Sequence, residues 1–123
     1  MQEGYPFTMA RRDHDTGPNG ITVDQLTDQI FPVVDALLAQ IDGDEFTTAA
    51  FIDLMQTVPG PAEAYELALT AWGEGERESR MVIHGQVIPN AMRRSARVEW
   101  AGFAHDQTDE FAVPAWWRLV PEE

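Results

Sequence analysis

The 123-residue chain carries 21 acidic residues against eight arginines and no lysine, for a net charge of −13; 44% of it is apolar, with four tryptophans and no cysteine. That length supports one modest core, and the apolar content is that of a chain that folds. The lack of thiols excludes disulfides and thiol chemistry. No apolar run reaches the ~18–20 residues that span a bilayer, and the first residues lack a secretory apolar stretch, so a cytoplasmic location without a membrane partner is expected.

The charge is unevenly spread. Asp13 to Glu76 holds 13 acidic residues and no arginine, whereas Arg77 to Arg97 holds five arginines and one glutamate. The second stretch is therefore +4 inside a remainder of −17. Such a field repels nucleic acid and anionic membranes at long range, so any contact with nucleic acid must be local.

Residues 1–21 read as a flexible tail, because Asp15 to Gly20 is turn chemistry without periodicity. Asp13 to Asp24 looks superficially like a calcium loop, but Gly17 and Pro18 fall where a ligand and the turn glycine belong, and position twelve is not glutamate. A first helix begins at Thr22, which forms a capping-box pattern with Gln25. Leu26, Ile30, Val33, Val34, Leu37, Leu38 and Ile41 give it an apolar face. Pro32 is expected to kink or split it, and Gly43 to end it.

A second helix has Thr47 as N-cap, with Phe46 and Phe51 placed for a hydrophobic staple. It ends at Pro59-Gly60-Pro61, and Pro61 suits the first turn of a third helix whose stripe is Tyr65, Ala68, Leu69 and Trp72. Gly73 and Gly75 break that helix. A fourth has Ser79 as the expected N-cap and Met81, Gly85, Ile88 and Met92 on its inner face; Pro89 suggests two helical pieces. After Ser95 the period changes to two, and Val98 to Trp100 and Phe111 to Val120 form a β-hairpin across the polar loop 104–110. Pro114 favours an edge position for its second strand. Trp116 and Trp117, adjacent on that strand, point to opposite faces, one into the core and one outward as an interaction anchor.

Helices at 47–58, 61–73 and 79–95 followed by a hairpin at 97–120 resemble the winged helix-turn-helix family, through element order and spacing over residues 47–120. The resemblance implies an α+β, mostly helical, winged-helix-like domain of three helices plus a C-terminal β-hairpin. Residues 22–43 form an N-terminal helical extension in a single domain, 22–123. It also places Arg80 to Ser95 at the recognition-helix position and Ala104 to Glu110 at the wing, and gives the extension a role in dimerisation.

On the outward face of the fourth helix, Gln86, Asn90 and Arg93 follow at i, i+4 and i+7. These are side-chain types that read base edges. Arg77, Arg80, Arg94 and Arg97 are placed to hold phosphates of double-stranded DNA. Arg93 and Arg94 also answer the negative end of the helix dipole, and Glu76 and Glu78 can pair with Arg77 and Arg80. Ile83 and Val87 share the outward side and call for a protein contact or for cover from another element. Asp106, Asp109 and Glu110 in the wing would be repelled by a phosphate backbone.

The expectation is therefore non-enzymatic recognition. A DNA-binding regulator leads, and the alternative is an acidic, DNA-mimic-like interaction module or inhibitor, similar in composition to small acidic proteins of phage and mobile elements. No cofactor or metal is expected: His14, His84 and His105 are scattered, and neither Ser79 nor Ser95 lies in a nucleophile elbow. His84, bordering the apolar face, reads as a hydrogen-bonded histidine at the core edge.

Overall fold

A computed structural model describes residues 16–105 and 109–121. Its elements are α1 (Val23–Leu38), β1 (Glu45–Thr47), α2 (Thr48–Thr57), α3 (Pro59–Trp72), α4 (Glu76–Val82), a π-helical turn (Ile83–Val87), α5 (Ile88–Arg94), β2 (Val98–Phe103) and β3 (Ala115–Leu119). The result is a mostly helical α+β fold whose three-stranded antiparallel sheet is compatible with a winged-helix-like shape. The calcium-like residues Asp13 and Asp15 lie outside the described residues.

The start signals in the sequence act as local chemistry demands. Thr22 Oγ1 accepts from the Gln25 amide at 3.0 Å and the Thr22 amide donates to Gln25 Oε1 at 2.9 Å, closing the capping box of α1. Leu26, Ile30, Val34, Leu37 and Leu38 then line its buried face. The helix passes through Pro32 as one element, with that residue on the solvent side. It ends at Leu38, before the expected Gly43, because Gln40 and Ile41 donate to Leu37 and Leu38 in tighter i→i+3 bonds. At the next start, Thr47 Oγ1 accepts from the Ala50 amide at 3.1 Å, and the Phe46 and Phe51 rings lie 5.9 Å apart.

Helix α3 starts at Pro59, two residues before the expected Pro61, since Val58 is already extended. Gly73 stops it in the left-handed region at φ 86. The segment read as a tail is held at its described end. Gly17 is buried so close to Trp72 that a Cβ would stand 2.7 Å from the Trp72 carbonyl oxygen.

Segments α4, the π turn and α5 form one continuous helical run. It begins at Glu76, ahead of the expected cap Ser79, which is buried within α4 and donates to the Glu74 carbonyl at 3.2 Å. Pro89 does not split the run. It has no N–H to donate, and the turn before it widens so that Ile88 N–H reaches Ile83 O, five residues back. In this wider turn residues four apart stay in line, so the buried stripe is Ile83, Val87 and Ala91 beside His84, Ile88 and Met92. The expected inner face is thereby corrected. Met81 is 48% exposed, while Ile83 and Val87, expected outward, are fully covered.

The sheet order is β1-β3-β2, so the second hairpin strand is central and not an edge strand. Pro114 lies just before β3 and leaves its ladder intact. Strand β1 is additional to the expected hairpin. Phe46, Trp117 and Trp100 align across the sheet, and Trp117 fills the core, where its Nε1 donates to Thr48 Oγ1 at 2.7 Å.

Candidate functional site

The most organised polar group lies where α3, the π turn and the β2–β3 connection meet. Tyr65 is carried there by the buried stripe of α3, and His84 by the π turn. The Tyr65 hydroxyl is 2.6 Å from His84 Nε2, and His84 Nδ1 is 2.6 Å from Asp109 Oδ2. The carboxylate fixes the tautomer: Nδ1–H donates to Asp109, and Nε2 accepts from Tyr65. Asp109 Oδ1 also accepts from the amides of Phe111 at 2.9 Å and Ala112 at 3.2 Å. The carboxylate thus folds its own loop and docks it on the helix.

Burial lowers the His84 pKa, against the opposing pull of Asp109. Burial likewise raises the Tyr65 pKa. A hydroxyl, imidazole and carboxylate in this order are the parts of an activated nucleophile. Tyr65 is buried, and the three side chains join α3, the π turn and the β2–β3 connection. They border a cavity of about 390 Å³ whose lining includes Asp53, Gln56, Arg80 and Phe111. His84 was legible in the sequence as a core-edge histidine. Its partners were not: Tyr65 read as a stripe residue and Asp109 as a wing carboxylate, although it points inward.

The arginine stretch is distributed over several surfaces. Arg77 pairs with Glu110 at 3.0 Å and stacks over the Phe111 ring at 4.9 Å. Arg80 pairs with Glu76 at 3.1 Å. Arg94 pairs with Asp28 and lies 4.0 Å from Asp24, both on α1. Arg97 Nε is 3.4 Å from Asp35. Arg93 alone in this stretch has no carboxylate partner among the described residues; it donates to Asn90 Oδ1 at 3.0 Å. Asn90 and Gln86 are half-buried. The acidic face of α1 thus lies against the arginines of α5 and of the turn that follows it.

A second surface feature is apolar. Strand β2 is an edge of the sheet, and a bulge at Ala101, next to Gly102 at φ 133, puts one extra residue between Trp100 and Phe103. Both side chains therefore fall on one face, their rings 5.4 Å apart and edge-on. Along the row Phe46–Trp117–Trp100, the first two are buried while Trp100 is 52% exposed. On the edge strand the core takes in Val98 and leaves Trp100 and Phe103 outside it. Phe103 is 72% exposed, and Trp116, on the opposite face, 40%. Single exposed apolar residues are ordinary, but a contacting, exposed aromatic pair on an edge strand is not.

No family model, no curated protein and no solved structure matches this chain. Among the described residues no cluster of His, Asp or Glu is arranged to hold a metal, and no helix is long and apolar enough to cross a membrane.

Proposed function

We propose that this protein is a non-enzymatic recognition module that binds a positively charged protein partner along the edge of β2. The carrying observation is the exposed Trp100–Phe103 pair on β2, an edge strand of the sheet among the described residues. Aromatic side chains supply large contact area at low entropic cost, and a free edge offers backbone groups to an added strand. The net charge of −13 sets the sign of the partner. Four of the five arginines between 77 and 97 already have carboxylates beside them, which leaves little cationic surface for phosphates.

A second reading is winged-helix DNA binding through α5. The helix-rich fold with its three-stranded sheet favours it, as does Arg93, which has no carboxylate partner among the described residues. Both readings are tested by titrating the protein with a lysine–valine alternating peptide and, separately, with random duplex DNA. The first predicts a shift of tryptophan emission with the peptide, weakened by salt and lost in Trp100→Ala/Phe103→Ala. Peptide binding unaffected by that pair of substitutions would overturn it. Salt-sensitive DNA binding lost in Arg93→Ala/Arg94→Ala would establish the second.

A further inference from the structure

The cavity beside His84 is lined by charged and polar side chains. Its volume of about 390 Å³ falls in the range of small-ligand sites, roughly 300–1,000 Å³. Most of the charged groups around it are already engaged. Asp109 accepts from His84 and from two backbone amides. Glu110 is paired with Arg77, and Arg80 with Glu76. Asp53 is the exception: it lines the cavity, lies close enough to His84 to act on it electrostatically, and its side chain forms no hydrogen bond or ion pair among the described residues.

Gln56 stands three residues along α2 from Asp53, on the same helix face. Its Nε2 donates to the Ile52 carbonyl at 3.4 Å, which leaves the side-chain oxygen as an acceptor. The mouth therefore offers a carboxylate and an amide oxygen together, above a floor of Tyr65 and His84 that bond to each other and to Asp109. Arg80, the cation of the lining, acts on both floor residues and is outnumbered there by Asp53, Asp109 and Glu110. The complement of that arrangement is a cation rich in N–H donors.

We propose that this cavity binds a guanidinium or primary ammonium group, with Asp53 as the charge partner and Gln56 as the second acceptor. The inference does not depend on the aromatic edge, which lies on another element. The group has two possible sources, a free small amine or an arginine or lysine side chain of a protein, and the same chemistry serves both.

The test is a titration of the whole protein, followed by the NMR signals of the His84 ring and the Asp53 amide. The probes are methylguanidine and the blocked tripeptide acetyl-Gly-Arg-Gly-amide, with neutral N-methylurea as control. Saturable shifts are expected with at least one cationic probe and not with N-methylurea. Asp53→Asn should weaken binding about tenfold, as loss of a charge-assisted hydrogen bond does. Asp53 is exposed, so this variant should fold, and an unchanged spectrum away from the cavity checks that it does. Tighter binding of the tripeptide assigns the site to a protein side chain, and tighter binding of methylguanidine to a free amine. Absence of saturable shifts with both probes, or undiminished binding by Asp53→Asn, overturns the proposal.

Discussion

The Tyr65 hydroxyl and the His84 imidazole meet at 2.6 Å, joining α3 to the π turn through two buried side chains. Tyr65→Phe keeps the ring and removes the one donor to Nε2 among the described residues. A buried polar atom left unsatisfied destabilises by about 1–3 kcal/mol, so the urea midpoint should fall by that energy divided by the slope, with the slope itself unchanged. Dissolution of the β2–β3 connection is not expected, since Asp109 keeps its bond to Nδ1.

The same histidine makes stability depend on pH. Its folded-state pKa is lowered, chiefly by burial, so the unfolded chain binds a proton first as pH falls. The stabilisation is complete above the unfolded value of about 6.5 and declines as pH drops through the folded one. His84→Gln should flatten that part of the profile, measured by urea unfolding between neutral and mildly acidic pH. Tyr65 acts in the opposite sense. Its raised pKa means stability is complete below about 10 and is lost as pH rises further.

Gly73→Ala should destabilise by about 1–2 kcal/mol, the penalty of a side chain in the left-handed region. Gly73 sits there at φ 86, and its added Cβ would also collide with the Asn19 side chain. A thermal melt should show the loss, and Asn19→Gly in the same chain should recover only the part due to the collision.

Thr48→Val conserves shape and removes the acceptor for Trp117 Nε1. About 1–3 kcal/mol of stability should be lost, with the near-ultraviolet dichroism of the tryptophans altered. Trp100→Ala, by contrast, removes an exposed side chain and should change stability little, within about 0.5 kcal/mol. That contrast is what makes Trp100 a usable probe of binding.

The parts of the fold governed by near neighbours were legible in the sequence. The Thr22–Gln25 box, the Thr47 cap, the Phe46–Phe51 staple and the Gly73 stop each depend on residues within a turn of one another. The inner face of the last helical run was not, because periodicity assumes a fixed number of residues per turn and the π turn before Pro89 changes it. Strand β1 was hidden for a different reason: three residues are too few to display a period of two. The Tyr65–His84–Asp109 chain joins positions 19 and 25 residues apart, and no local pattern records such a meeting. The pairing of the arginines with α1 is a long-range relation of the same kind.

The order β1-β3-β2 also governs how the chain must assemble. Phe46 and Thr48 wait for Trp117, and Thr48 and Trp117 are 69 residues apart. The capped helices α1 and α2 carry local start signals that do not involve that strand. Closure of so long a loop is slow relative to helix formation, and the transition state should contain β3 docked between its two neighbours. Substitutions at Trp117 should then slow folding, whereas substitutions in the Thr22 cap should mainly speed unfolding.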